Sequence, residues 1–434
     1  MKLAFLGAGS AVFLRNVVGD CMLTSGLEDM HYALYDIDSE RLQDSLKMCQ
    51  VLNRNLNGNR STISVHCGPE SLPKALDGAD FIINAIQVGG YDPATKADFD
   101  ICSRHGLRMT IGDTLGPAGI FRGLRTIPVL DLFASVVERC CPDAWFLNYT
   151  NPMAILSGYM QRHTGVRTVG LCHSVQVVVK KLLAGLNREP KGKITYRVAG
   201  INHMGWLLDV REDGKDIYPE IKRLSMESTP KDDMVRHEIM RRFGYYVTES
   251  SEHLSEYLPY FIKRSHPEQI DEFNIPLDEY PRRCIRNIEK WDNMRKELVE
   301  NPDLSHERSR EYASMIIQAM VSDIPYEFNG NVINHGSIEN LPDDACVEVP
   351  CIADSHGITS LMVGRLPEQC AALNRTNINV QQMAIQAAVT RRKEDVYMAA
   401  MLDPHTGSEL CLDEIRSLCD DMFEANRAWI GEYR

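Results

Sequence analysis

Lys2-Leu3-Ala4-Phe5-Leu6-Gly7-Ala8-Gly9-Ser10 is the stretch that decides the fold. Its first five residues read as a short apolar strand, and a glycine turn follows at once. A helix is predicted from about Val12 to Thr24, and a second strand over His31–Tyr35 that runs into Asp36-Ile37-Asp38. Taken alone, Gly-Ala-Gly reads as a plain tight turn. With the strand before it, the helix after it and the acid at the end of the next strand, it forms a dinucleotide-binding βαβ unit. The helix N-terminus then faces the pyrophosphate, and Asp36 faces ribose hydroxyls. A carboxylate there repels a 2′-phosphate, which selects NAD over NADP. Gly7, Ala8, Gly9, Ser10, Ala11 and Asp36 are the expected contacts. Val12 stands where the pattern has its third glycine.

The alternation of strand and helix continues outward. Strands are predicted over Phe81–Ile86, Ala144–Leu147 and Arg167–Leu171, each followed by polar residues. Asn84 and Gln87 follow the first, Asn148-Tyr149-Thr150-Asn151 the second and Cys172-His173-Ser174 the third. Parallel strands joined by helices give an α/β, doubly wound, Rossmann-like sheet, with ligands at the strands' carboxyl ends. Asn84 and Gln87 therefore join the cofactor candidates. Beyond about residue 195 the pattern changes to two apolar segments, a long charged helical stretch, a β-rich Asn329–Val349 and a helical C-terminus. The expected division is a Rossmann-like domain at 1–195 and an α+β domain at 196–434 for substrate, metal and oligomer contacts. Together they give a lactate/malate dehydrogenase-like architecture.

Composition narrows the class. The 434 residues carry a net charge of −13, which disfavours a general nucleic-acid binder. No apolar run approaches the ~18 residues that span a bilayer, and the N-terminal burst is too short for a signal peptide. Thirteen scattered cysteines, an odd number without a paired Cys-x-x-Cys, suggest reduced thiols and a cytoplasmic location.

Several residues have the chemistry of a site. Cys172 and His203 each lie at the apparent end of a strand. A thiolate and an imidazole suit a divalent transition metal with open positions, although a core cysteine and an unrelated histidine would read the same. Asp113 lies in the turn-rich Ile111-Gly112-Asp113-Thr114-Leu115-Gly116-Pro117, and Asn151 precedes Pro152. Both residue types also form simple turns. Glu252 and His253 sit in a segment dense in hydroxyl, acid and imidazole groups, where a solvated helix face is the plainer reading.

Gly7-Ala8-Gly9-Ser10, Asn148-Tyr149-Thr150-Asn151-Pro152, Cys172-His173-Ser174-Val175 and Asn202-His203, in that order, resemble glycoside hydrolase family 4. The likeness extends through Leu373-Asn374-Arg375-Thr376-Asn377 to Leu402-Asp403-Pro404-His405. Within the family, Cys-His-Ser-Val looks like the version carried by α-galactosidases, with α-galacturonidases and α-glucosidases as the nearest alternatives. The resemblance implies an NAD- and Mn²⁺-dependent hydrolysis. Hydride leaves C3 of the sugar for NAD⁺, the C2 proton is removed, the C1–O bond breaks by elimination, water adds, and the hydride returns. It implies Cys172 and His203 as metal ligands, Asn151 beside the sugar hydroxyls and Asp113 beside the metal–substrate cluster. His173 would assist the leaving group, and Arg282 or Arg283 would contact substrate. The family's tyrosine base is replaced here by His253, so His253, Glu252, Tyr245 and Tyr246 all stand as candidates for the base. A small α-galactoside as substrate and a homodimer or homotetramer follow from the same resemblance. A lactate/malate-type dehydrogenase and a non-catalytic NAD sensor are the readings from other classes.

Overall fold

The computed structural model describes residues 1–434. Six strands, β1 (Lys2–Leu6), β2 (His31–Asp36), β3 (Thr62–Cys67), β4 (Phe81–Asn84), β5 (Trp145–Asn148) and β6 (Arg167–Gly170), lie in the order β3-β2-β1-β4-β5-β6, all parallel. This is the doubly wound order, and the chain reverses its winding between β1 and β4. Continuous apolar runs such as Leu3–Leu6 and Phe81–Ile83 are buried, as a sheet covered on both faces demands. The first helix covers Ala11–Met22, one residue earlier than expected at its start. Val12 is 42% exposed on it, so no strand packs against the position that normally needs a third glycine. Gly19 takes that close-packing role instead, since an added Cβ would sit 2.5 Å from the His306 ring.

The second part does not build a separate sheet. Strands β7 (Ile194–Ile201), β8 (Met204–Glu212), β9 (Lys215–Asp216), β10 (Tyr246–Val247), β11 (Tyr326–Ile333), β12 (Cys346–Asp354) and β13 (Gly357–Ser360) extend the first one to thirteen strands. The junction is antiparallel and narrow: β11 meets β6 at Asn331 and Gly170. Gly170 has no room for a side chain, because the Met153 sulfur, the Ser157 hydroxyl and the Asn331 Cβ all lie within 2.8 Å of where its Cβ would be. The β-rich segment is thus an antiparallel hairpin that begins earlier and ends later than its composition suggested, from Tyr326 to Asp354. The charged helical stretch is broken into short helices plus one long exposed helix, Glu279–Val299. No helix is long and apolar enough to cross a membrane, and all thirteen cysteines are unpaired.

Candidate active site

The carboxyl ends of β1, β4, β5 and β6 lie side by side, where a doubly wound sheet has its ligand crevice. At its dinucleotide end, Gly7 has φ +90°, and a Cβ there would lie 2.6 Å from the Ala85 carbonyl oxygen. Gly9 donates its backbone N–H to the Asp36 carboxylate at 2.6 Å, and a Cβ on Gly9 would press against that carboxylate. The helix that begins at Ala11 has no side-chain cap from Ser10, so its first N–H groups remain for an anion. A glycine turn pressed on β4, an acid at the end of β2 and an uncapped helix fit a dinucleotide. Gln87 is exposed beyond β4 and donates to Thr95 at 3.3 Å. Asn84 is not on the crevice surface: it is fully buried and donates to Asn148 and Thr150 at 2.9 and 3.2 Å, which locks β4 to β5.

The catalytic end is assembled from three loops. His203 occupies a two-residue turn between β7 and β8 at φ +63°. The turn is braced from behind by Asn374, which donates to the Met204 carbonyl at 2.9 Å and accepts from the Trp206 indole at 3.0 Å. Thr248 ties the next loop to it, with its N–H bonded to the Gly205 carbonyl at 2.8 Å and its hydroxyl accepting from the Gly205 N–H at 3.0 Å. Glu249 follows at φ +69°, and the helix Ser251–Tyr257 then presents His253. The third loop, 110–116, is gripped by two acids. Glu256 accepts backbone N–H groups from Thr110, Ile111 and Gly112, and Asp403 accepts that of Gly116 at 3.1 Å. The two C-terminal family-like stretches therefore act as struts.

These loops bring Asp113, His203 and His253 together beside Asn151, which follows β5. Asn151 donates to Asp113 Oδ2 at 3.1 Å, Thr114 donates to Asp113 Oδ1 at 2.7 Å, and His253 Nε2 lies 3.5 Å from the same oxygen. The His203 and His253 rings are edge-to-face at 4.5 Å. Burial alone would raise the Asp113 carboxyl, but His253, then Arg122 and His203, hold it well below the usual carboxylate range. His253 moves the other way: burial and His203 depress it, and Asp113 and Glu249 outweigh them to raise it. Cys172, half-buried after β6, has its thiol pushed up by burial and by Glu249. A thiol in that state becomes a thiolate only beside a cation. Tyr312 fixes the Cys172 backbone through both its N–H and its carbonyl. His173 precedes the next helix without a capping hydrogen bond and pairs with Glu311.

Other candidates are committed elsewhere. Glu252 is bound by Arg283 at 2.9 Å, and Arg282 and Arg283 both pair with Glu279. Tyr246 is fully buried against Asp233, and Tyr245 packs on Tyr218, so neither reaches the crevice. Four residues were not singled out by sequence: Glu249, Glu311, Tyr257 and Arg122. The Tyr257 hydroxyl is buried without a hydrogen-bond partner, 6.4 Å ring-to-ring from His203. Arg122 is buried and donates to the Asn151 carbonyl at 3.2 Å. Its one signal was a basic residue, shared with Arg125, in the buried first half of the helix Gly116–Cys140.

Models of the family 4 glycosyl hydrolases match residues 2–188, and those of the family 4 C-terminal domain match 198–406. The chain is 57% identical to an alpha-galactosidase of Bacillus subtilis (strain 168) over 435 residues, covering 100% of both. Among solved structures it is similar to a putative glucosidase of Bacillus subtilis, at 25% identity and TM-score 0.85, covering 97% of this chain and 99% of that one. A 6-phospho-alpha-glucosidase from gut microorganisms, solved in complex with NAD and Mn²⁺, matches at 22% identity and TM-score 0.79, over 100% and 99% of the two chains. The chain belongs to family 4 of the glycosyl hydrolases.

Proposed function

We propose that this protein hydrolyses α-galactosides by a dinucleotide- and divalent-metal-dependent route, with NAD and Mn²⁺ as cofactors. The observation that carries the reading is the adjacency of a dinucleotide turn at Gly7–Gly9, pressed on Ala85, and a cluster of Asp113, Asn151, His203 and His253, joined to the same strand end where Thr150 donates to the Ile86 carbonyl at 3.2 Å. An ordinary hydrolase needs no such turn, and an ordinary dehydrogenase needs no such cluster. Full-length likeness to an alpha-galactosidase supports the sugar class. NAD would supply reversible removal of hydride from the sugar, and the cation would polarise the oxygen left at that carbon.

The chain's own residues then have separable tasks. Asn151, held by Asp113, presents its amide to sugar hydroxyls. His203 offers an imidazole to the cation, and Cys172 a thiolate. His173, 42% exposed and aligned by Glu311, faces the leaving group. Arg122 keeps positive charge behind Asn151. Arg282 and Arg283 form the rim through Glu279 and contact substrate only if that network opens. Residues 1–195 carry the dinucleotide in this reading, and 196–434 supply the cation and substrate groups and the contacts of a homodimer or homotetramer. The thirteen unpaired cysteines support a reducing, cytoplasmic location.

The test is incubation with p-nitrophenyl α-galactoside, NAD⁺, Mn²⁺ and a thiol reductant. Nitrophenol release without net NADH is expected. Steady NADH accumulation with free sugar would replace this reading by a dehydrogenase, and activity untouched by EDTA would remove the metal from it.

A further inference from the structure

We infer that Asp20, Ser309 and Glu311 are positioning residues for His173. They act through a strap, residues 306–312, that ties the imidazole to the dinucleotide helix and leaves its Nδ1 to meet the leaving group. The inference rests on the proposed function in taking His173 as the residue that faces the leaving group.

The strap is anchored on one buried acid. Asp20, on the first helix (Ala11–Met22), is fully buried and holds three groups of the strap. His306 Nε2 bonds its Oδ1 at 2.7 Å, the Ser309 N–H donates to the same oxygen at 2.8 Å, and the Ser309 hydroxyl donates to Oδ2 at 2.5 Å. A carboxylate shut away from water is tolerated when its lone pairs are filled in this way. Arg308 adds two bonds just past the helix end, to the Leu23 carbonyl at 3.2 Å and the Thr24 hydroxyl at 3.1 Å.

From that anchor the strap reaches two neighbouring residues of the site. The Ser309 hydroxyl accepts the Glu311 N–H at 3.0 Å, which fixes the backbone from which the Glu311 carboxylate meets His173 Nε2. Tyr312 then holds Cys172, accepting from its N–H at 2.8 Å and donating to its carbonyl at 3.0 Å. The His173 ring is flanked by Tyr149 and Tyr312, with centroids 5.9 and 6.4 Å away, and Tyr149 packs edge-on against Phe13 of the same first helix.

This arrangement selects the working nitrogen. Nε2 is committed to Glu311, whose side chain is only 9% exposed, and Nδ1 makes no capping bond to the helix that follows. An imidazole held at one nitrogen by a carboxylate presents the other in a fixed direction. As the C1–O bond breaks, the electron pair left at C2 forms the C1–C2 double bond and the C1–O pair passes to the leaving oxygen. Nδ1 gives that oxygen a proton, while Nε2–H stays with Glu311. The positioning therefore matters for an alcohol, which leaves only with a proton, and much less for nitrophenolate, which leaves without one.

The experiment compares kcat/KM for methyl α-galactoside with that for p-nitrophenyl α-galactoside in NAD⁺- and Mn²⁺-loaded protein, with circular dichroism to verify folding. The methyl-to-nitrophenyl ratio should fall by about 100-fold or more in His173→Ala, the loss of a general acid. It should fall by about 10–100-fold in Glu311→Ala, which loses a hydrogen bond to a charged group, and by about 2–10-fold in Ser309→Ala, which loses a neutral one. Glu311→Gln, whose amide oxygen still accepts from Nε2, is expected between Glu311→Ala and wild type. Equal losses on both substrates in Glu311→Ala, with a selective loss in His173→Ala, would overturn the inference and leave the proposed function standing. No hydrolysis of either substrate by the wild-type protein would overturn the proposed function itself. Should Glu311→Ala not fold, Ser309→Ala decides, and an unchanged ratio there refutes the strap. A readout independent of turnover is long-range proton–nitrogen NMR of labelled histidine in metal-free protein, with His173 assigned by its loss in His173→Ala. Its ring nitrogens are expected to shift in Glu311→Ala, and unshifted nitrogens would overturn the inference.

Discussion

Gly7→Ala tests the dinucleotide turn quantitatively. Two terms act on it. At φ +90° an alanine pays a left-handed penalty of ~1–2 kcal/mol. Its Cβ would also lie 2.6 Å from the Ala85 oxygen and 2.8 Å from the Ala85 carbonyl carbon. That carbonyl cannot swing away cheaply, because the Ala85 N–H is bonded to the Leu6 carbonyl at 2.9 Å and so belongs to the β1–β4 ladder. Overpacking of this kind costs ~1–3 kcal/mol, giving ~2–5 kcal/mol in all. Gly58→Ala is the control. Gly58 is also left-handed, at φ +58°, but nothing lies within 4 Å of its added Cβ, so only the first term applies. Urea unfolding should therefore show Gly7→Ala to be less stable than Gly58→Ala by ~1–3 kcal/mol. NAD⁺ binding, followed by quenching of tryptophan fluorescence, should fall in Gly7→Ala and stay unchanged in Gly58→Ala. Equal stability of the two variants, or wild-type NAD⁺ affinity in Gly7→Ala, would refute the reasoning.

Three further outcomes are expected. Arg125 is fully buried and donates to Asp98 at 3.1 and 2.7 Å, so Arg125→Met should cost ~3–5 kcal/mol in urea unfolding, and the Asp98→Leu/Arg125→Met pair clearly less. Gly19→Ala should drive the His306 ring off the helix, loosen its 2.7 Å bond to Asp20 and lower the thermal midpoint; an unchanged midpoint would show that the ring moves freely. Glu348 is fully buried; burial lifts its carboxyl well above the ordinary value, and Cys172 adds to the rise. A proton held more tightly in the folded state stabilises fully below the unfolded value of about 4.5, and that contribution is lost as pH climbs toward the folded value. In metal-free protein the stability of wild type relative to Glu348→Gln should thus fall as the pH rises above about 4.5, and a constant difference would refute the assignment.

The first sheet was legible because each of its signals is local. Lys2–Leu6, the glycine turn and Asp36 lie within 36 residues, and buried parallel strands announce themselves as unbroken apolar runs. The joining of β6 to β11 was not legible, since it rests on Gly170 fitting under Asn331, a contact between distant segments. The site divides in the same way. Cys172, His203, Asp113 and Asn151 stand at the ends of strands or in turn-rich loops, where position alone draws attention. Glu249 does not. Its place in the site comes from a left-handed backbone with Arg236 on its carbonyl, and from a carboxylate brought beside His253 and a histidine 46 positions earlier in the chain. Glu252 and the two arginines had the right chemistry in the right segment, and only their mutual ion pairing shows that they are already occupied.

The central claim is that the crevice oxidises the sugar, exchanges one proton and restores the hydride. Hydrolysis of an α-galactoside in D₂O, with the liberated galactose read by proton NMR, tests it most directly. Deuterium at C2 with protium kept at C3 is the expected result. Galactose bearing protium at both carbons would mean direct displacement at C1 and would contradict the account.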